Sequence, residues 1–363
     1  MIKWFKYIAL IGLIPTIYVV IVLLYATATD FQPEAVKSLP VFGNASTVES
    51  DSILSCVIWN IGFTGLGAET DFFYDGGKVV TQTEDLVAKN RQGVLDFVKY
   101  CHNASAFLFQ ETDSSSKRSH YVDMTRVLHE ILPGYEGTYA ANYDVKFVPI
   151  PFTDPMGKVH SGLASYFKGR VLSAERHRFD SQFSWPQRLF FLDRCFSSHI
   201  VEIKEGVRIC FINTHCSAYD TSGTMVANEI QRLMSFADSI HTTLQIPVII
   251  GGDWNQCPPE YNPVDPKKYN EYKVSNQQLP KGWSWISDTS TPTNRKLDQP
   301  YIKGKSYTSV IDFYAVSPDV EVVSVETVDL DFAFSDHQPV ELRFMIMPKV
   351  AANDALSGSE DTP

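Results

Sequence analysis

The chain has 363 residues, 44% of them hydrophobic, 13% aromatic and 20% charged, the composition of an ordered globular protein, which excludes a disordered scaffold over most of its length. Thirty-one Lys and Arg against 42 Asp and Glu leave a formal charge of -11, so the molecule as a whole does not attract polyanions, which weighs against a nucleic-acid substrate without excluding it. The six cysteines include no pair at the two-residue spacing of a zinc ribbon or a dithiol redox motif, and Cys56, Cys195 and Cys210 lie in apolar runs where buried thiols are the expectation; their even number leaves disulfides open.

From Tyr7 to Thr29, 23 residues carry no charge and are rich in Ile, Leu, Val and Tyr, with Lys3 and Lys6 before them and Asp30 and Glu34 after. That length suits a membrane-spanning helix over residues 1–29, and the flanking lysines favour a cytoplasmic N-terminus and an extracytoplasmic bulk, periplasmic in a Gram-negative cell. A cleaved signal peptide is the competing reading, because Ala26-Thr27-Ala28 resembles a small-x-small processing site. Pro15 is tolerated in a membrane helix.

Residues 30–50 lack periodicity and read as a linker, 51–349 as one folded domain, and 350–363, without large apolar residues, as a disordered tail. Within the domain, β-branched and aromatic runs predict strands at Ile53–Trp59, Ala106–Gln110, Gly162–Phe167, Val171–Phe179, Leu189–Ile203, Val207–Asn213, Pro247–Gly251, Ser309–Val316, Val320–Val328 and Pro339–Ile346. Helical spacing appears at Leu86 to Cys101, Tyr121 to Leu132 and Val226 to Ile240. Many strands with a few helices between them imply layered sheets with helices packed outside.

Polar residues stand at the ends of these strands. Val248-Ile249-Ile250-Gly251-Gly252-Asp253-Trp254-Asn255 is a buried-type strand that ends in two glycines and then offers a carboxylate and an amide two residues apart, which face one side if extended. The glycines allow close approach of a ligand or of neighbouring backbone, and a Gly-Gly-Asp turn with an Asn cap is the plain alternative. Ser335-Asp336-His337 precedes the last strand, setting an acid that can hold a hard cation beside an imidazole that exchanges protons near neutrality. Asp312 lies within an apolar run, where an unpaired carboxylate costs several kcal/mol, so it needs a partner; His337 would serve, and a purely structural hydrogen bond is the alternative. Asn60, Glu111 and His215 each follow an apolar run in the same manner, though singly each could cap a turn, start a helix or sit satisfied in a core.

The ordered set Asn60, Glu111, His215, Asp253-x-Asn255, Asp312 and Asp336-His337 resembles the endonuclease/exonuclease/phosphatase superfamily, in a membrane-anchored bacterial form. That superfamily includes pancreatic-type deoxyribonuclease, abasic-site endonuclease, inositol polyphosphate 5-phosphatase and neutral sphingomyelinase. The resemblance runs from Asn60 to His337, with Gly-Asp-x-Asn and Ser-Asp-His its most specific elements and Gly162 to Ser165 before Arg170 a weaker one. It implies a four-layer α/β/β/α sandwich of the DNase I-like type with the active site at one end of the two sheets. It further implies that Glu111 is a Mg²⁺ ligand, Mn²⁺ and Ca²⁺ being alternatives, with Asn60 and Asp336 in the metal shell. His337 oriented by Asp312 would be the general base or polarise the phosphate, Asp253 and Asn255 would position water and phosphoryl oxygens, and His215 would bind phosphate or protonate the leaving oxygen. The base stays open between His337 and Asp253, as does the acid that pairs with His215.

The segment between Asn255 and Asp312 carries eight Lys or Arg and five Asp or Glu, a net +3 against the -13 of the chain beyond residue 29. It is expected to border the site, with Arg295 and Lys296 contacting an anionic substrate and Trp283 and Trp285 stacking or facing a membrane; a solvated loop pinned by its aromatics is the alternative. Trp185, Arg188 and Asp220 are further polar or aromatic candidates without an assigned role. The substrate is a phosphoester of lipid, nucleic acid or small molecule. Tethering favours a phospholipid, an extracytoplasmic nuclease is the second reading, and a non-catalytic anchored binding protein on the same fold the third. No protein partner is evident.

Overall fold

Apolar residues at consecutive positions leave no solvent face for a strand, and in the computed structural model both faces are covered. The structure describes residues 2–45, 53–180, 183–218, 223–264 and 271–347. In β3 (Leu54–Asn60), Cys56 and Ile58 turn one way and Val57 and Trp59 the other; in β4 (Ala106–Asp113), Leu108 opposes Phe107 and Phe109 in the same manner. In β9 (Val207–His215), Ile209 and Phe211 part from Cys210 and Ile212, and in β10 (Val248–Asp253), Ile249 parts from Val248 and Ile250. The first member of each set joins one core between two sheets. The second packs under helices: α2 (Glu84–Tyr100) and α3 (Met124–Ile131) through Val94, Phe97, Val98 and Leu128, and α4 (Thr224–Leu244) through Val226, Ile230, Leu233 and Ala237. The result is the expected helix/sheet/sheet/helix order.

Local chemistry fixes the helices. Thr83 accepts from the Leu86 N–H at the start of α2, Glu84 and Asp85 occupy its first turn and Lys99 its last, matching the helix dipole. Asp123 caps α3 by accepting from the Arg126 N–H; the helical pattern that starts at Tyr121 therefore becomes helix only from Met124.

The remaining strands are β1 (Val36–Ser38), β2 (Phe42–Gly43), β5 (Glu136–Val148), β6 (Gly157–Phe167), β7 (Arg170–Arg178), β8 (Cys195–Lys204), β11 (Ser284–Ile286), β12 (Asn294–Arg295), β13 (Thr308–Ser309), β14 (Asp312–Val316), β15 (Val320–Thr327) and β16 (Val340–Ile346). One seven-stranded sheet has the order β1-β7-β8-β9-β10-β14-β11 and the other β15-β16-β3-β4-β6-β5-β2, with β12 and β13 as a separate pair.

Several expectations are corrected. The segment read as a linker contains β1 and β2, which pair with β7 and β5 and so extend both sheets, while Leu39 between them packs against the inter-sheet core. The strand expected from Leu189 begins at Cys195, because residues 187–190 form a 3₁₀ turn and the charged Asp193 and Arg194 intervene. The long β5, whose apolar and aromatic residues are interrupted by Asn142, Asp144 and Lys146, was not foreseen. All six cysteines are free.

The N-terminal helix α1 runs from Ile2 to Ala28 with Pro15 inside it, and its side chains are described from Leu13 onward. The expected span over 7–29 thus falls partly outside the described side chains, and among the described residues no helix is long and apolar enough to cross a membrane. Residues 46–52 and the expected tail at 350–363 lie outside the described residues.

Candidate active site

Following the inward parity of each strand to its end leads to a single place. Asn60 follows Cys56 and Ile58, His215 follows Ile209 and Phe211, and Asp253 follows Ile249 and Gly251. The parallel pairing of β9 with β10 sets His215 beside Asp253, and the antiparallel pairing of β10 with β14 sets Asp253 beside Asp312. These three form a row across adjacent strands, while β3 and β4 of the facing sheet bring Asn60 and Glu111. A bulge in β4 between Phe109 and Thr112, with Glu111 at φ 51, turns that carboxylate out of the ladder. Asp312 opens β14 where a mid-strand position was expected. The two glycines before Asp253 answer to neighbouring protein: a Cβ on Gly252, at φ 146, would overlap the Thr214 carbonyl, and one on Gly251 would lie 2.7 Å from Ile58 Cγ2 of the opposite sheet.

His337 reaches this row from the loop before β16. Its Nδ1–H donates to Asp312 Oδ2 at 2.8 Å, and its Nε2 lies 2.9 Å from the Asn294 amide, 3.8 Å from Asp253 Oδ2 and 3.9 Å from Asp336 Oδ2. The loop is pinned beneath the ring: Trp59 Nε1–H donates to the His337 carbonyl at 2.9 Å, and Ser335 Oγ donates to the Asn60 carbonyl at 2.8 Å while accepting from the His337 N–H. Burial opposes charge on this imidazole, but the carboxylates of Asp312, Asp253 and Asp336 outweigh it and push the ring up to about 10.

Asp253 is the hub. Its Oδ2 accepts from the Asn60 amide at 3.1 Å and lies 3.3 Å from His215 Nε2, and its Oδ1 accepts from the Asn255 N–H at 2.9 Å. Burial raises its pKa to about 6, with the neighbouring Asp312 adding to the shift and His337 opposing it. His215 goes the other way: burial, then the positive charge of Arg194, holds it well below the usual imidazole range. Its Nδ1 is buried and has no hydrogen-bond partner among the described residues, and Asp220, a sequence candidate, lies outside them. Asn255, at φ 50, donates from its amide to the Cys216 carbonyl at 2.9 Å.

A cation is invited by the acids left over. Asp336 is buried, and desolvation together with the charge of Glu111 lifts it to about 7; two carboxylates facing one space without full compensation are the oxygen donors a hard divalent ion takes. Gly62, at φ 47, keeps that space open, since a Cβ there would lie 2.7 Å from Asp336 Oδ1. The residues therefore fit a divalent cation. Asn60 presents its amide nitrogen to Glu111 Oε1 and Asp253, its oxygen accepting from the Gly62 N–H. Asp253, Asp312 and His337 also bring donor atoms within 4.8 Å of one another; the Asp312–His337 hydrogen bond engages Oδ2 and Nδ1 and leaves Asp312 Oδ1 buried without a partner among the described residues.

The row opens into a cleft of about 510 Å³. Arg295 and Lys296 line it, yet Arg295 is only 1% exposed and spends its guanidinium on the carbonyls of Leu66, Gly67 and Thr70. Its expected substrate contact is corrected to a clamp on that loop. Trp283 and Trp285, 6% and 8% exposed, belong to the core under α4 with Trp254 and Phe313, where neither stacking on a substrate nor contact with a membrane is available to them. Sequence reasoning missed Asn294, whose two-residue strand has no apolar run to mark it, and two cleft arginines. Arg118 is held bidentately by Asp113, at 2.9 and 3.1 Å, and lies 3.8 Å over the Phe63 ring. Arg194 is buried with its Nη1 unpartnered among the described residues; its place just before the apolar β8 was the available signal.

Comparison with family models and with curated proteins finds no match. Solved structures do match in fold. An endonuclease/exonuclease/phosphatase from Beutenbergia cavernae superposes with a TM-score of 0.56 at 14% identity, over 82% of this chain and 72% of that one. The human Nocturnin catalytic domain gives 0.52 at 18% identity over 85% and 98%, and ANGEL2, a 2',3'-cyclic phosphatase, gives 0.55 at 15% over 86% and 99%. The fold is thus the DNase I-like one that the resemblance implied.

Proposed function

We propose that this chain is a divalent-cation-dependent phosphoester hydrolase of the endonuclease/exonuclease/phosphatase superfamily, acting on phosphodiesters and tethered by its N-terminal helix with the catalytic body outside the cytoplasm. The observation that carries the reading is the row His215–Asp253–Asp312 with His337 hydrogen-bonded to Asp312, beside the paired acids Glu111 and Asp336. The similarity in fold to phosphoesterases such as the 2',3'-cyclic phosphatase ANGEL2 supports it. The anchor is supported by the uncharged stretch from Tyr7 to Thr29.

Glu111 and Asp336 would hold a Mg²⁺ or a similar ion, which would neutralise phosphoryl charge. Around it, the chain's own groups divide the work. Asp253 is reached by Asn60, His215 and His337 and is the carboxylate within range to take a proton from an attacking water. Asn255 positions that water and a phosphoryl oxygen. His337, with Asp312 behind it fixing the ring, presents Nε2–H to a phosphoryl oxygen, and His215 lies on the opposite side of Asp253 to serve the departing oxygen. Arg194 adds positive charge to the same space.

The test is hydrolysis of bis(4-nitrophenyl) phosphate by the full chain with Mg²⁺, with EDTA, and with His337→Gln. Turnover that needs both the metal and His337 is the expected result. No turnover under Mg²⁺, Mn²⁺ or Ca²⁺ would favour a non-catalytic binding protein.

A further inference from the structure

The cleft has two unlike walls. One is the polar row already described. The other is built from Phe63, Phe72, Tyr74, Met156, Phe190 and Phe191. This aromatic wall continues outward into two loops that hold the N-terminal helix.

The loop between β5 and β6 sends Met156 into the cleft and Phe152 outward, where the ring is 73% exposed and meets Tyr18 of α1 edge-on at 5.5 Å. The segment from 183 to 192 does the same: Phe183, Phe190 and Phe191 line the cleft, while Trp185 is 55% exposed and its indole N–H donates to Thr27 Oγ1 at 3.4 Å. Just beyond the helix, Asp30 pairs with Arg188 at 3.0 Å and the Pro33 carbonyl accepts from Arg178. The helix therefore leaves the body beside the mouth of the catalytic cleft. Its exposed apolar side chains run from Val19 on one flank through Val20, Leu13 and Leu24 to Ile14 and Tyr25 on the other, about two-thirds of the circumference and wider than one stripe. A protein partner would cover one stripe of such a helix, whereas hydrocarbon covers every side. Trp185, against Thr27, then stands at the helix's outer end, at the level where aromatic side chains border a bilayer, and Phe152, against Tyr18, lies about 14 Å deeper along the helix.

We propose that Phe152, Trp185 and the end of α1 seat the cleft mouth on the lipid bilayer, so that phosphoester headgroups enter along the aromatic wall while their acyl chains stay in the membrane. This rests on the phosphoesterase reading above and names the source of its substrate. The aromatic wall faces the part of the lipid next to the headgroup, and the polar row faces the phosphate. No contact with a nucleic-acid base is needed to account for the wall.

The test uses the full chain in vesicles of phosphatidylcholine, phosphatidylethanolamine, phosphatidylglycerol and sphingomyelin with Mg²⁺, and the double variant Phe152→Asp/Trp185→Asp. Lipid headgroup release should fall at least about tenfold in the variant, because apolar area in the interface sets the seating. Turnover of bis(4-nitrophenyl) phosphate should stay unchanged, which also reports that the variant is folded. Brominated phosphatidylcholine should quench a fluorescence component that Trp185→Phe removes. Lipid release equal in the two proteins, a Trp185 signal untouched by bromine, or soluble-diester turnover without any lipid release would each overturn the proposal. Absence of soluble-diester turnover in the wild type would instead overturn the phosphoesterase reading, and the bromine experiment would still decide the seating.

Discussion

Asp312 Oδ2 and His337 Nδ1 lie 2.8 Å apart although they come from opposite sheets, Asp312 from the first residue of β14 and His337 from the loop before β16. The contact therefore exists only when the two sheets are stacked in their native register. Asp312→Asn should leave the fold intact but lower kcat by about 10²–10⁴-fold, since the ring loses both its orientation and its countercharge. KM should change far less. Steady-state kinetics on a soluble diester check this, and an unchanged kcat would remove His337 from the chemistry.

In the metal-free protein the His337 ring should titrate near 10, far above its ordinary 6.5, because three carboxylates surround it. A pKa raised on folding stabilises the protein fully below about 6.5, and that contribution is lost as pH rises through about 10. The stability advantage of wild type over His337→Gln, measured by urea unfolding in EDTA, should accordingly shrink between those values. Carbon-detected NMR of the ring should show the midpoint fall in Asp312→Asn.

Glu111→Gln and Asp336→Asn should each weaken Mg²⁺ or Mn²⁺ binding about tenfold or more by isothermal titration, since each removes a charged oxygen donor. Asp312→Asn should weaken it less. The reverse order would shift the metal to the Asp253, Asp312 and His337 group.

Trp285→Ala should cost about 3–5 kcal/mol of stability, the usual scale for emptying a buried aromatic site, with activity per folded molecule unchanged. Raised KM at unchanged stability would return the indole to a substrate-contacting role. Arg295→Met should act on the 66–70 loop in the same indirect way, because its donors end on backbone carbonyls.

Much of the sandwich was legible because buried strands announce themselves as continuous apolar runs, and the polar residue that ends such a run has nowhere to go but the rim. That logic points to Asn60, Glu111, His215 and Asp253, which the structure gathers at one end of the two sheets. It failed where the signal is three-dimensional. Arg295 and Trp285 look like surface binders in a basic, aromatic segment, and only packing reveals that one ties down a loop and the other fills a core. Asn294 sits in a Thr- and Pro-rich stretch without periodicity, and its 2.9 Å approach to His337 depends on an isolated bridge between residues 43 apart in sequence. Strand β5 was missed because Asn142, Asp144 and Lys146 break up its apolar residues, and the pairing with β6 holds the strand across those breaks.

Residues 36–43 join the edge of one sheet and then the edge of the other within a few residues of the end of α1. A body attached this way has no leash. Its orientation follows that of the helix, so wherever the helix is held the same face of the body is presented. Pulling on the helix would load the β1–β7 pairing first and the β2–β5 pairing only after β1 has come away. Lengthening the chain between Ala28 and Val36 would leave these pairings in place, and so would give the body reach without loosening the fold.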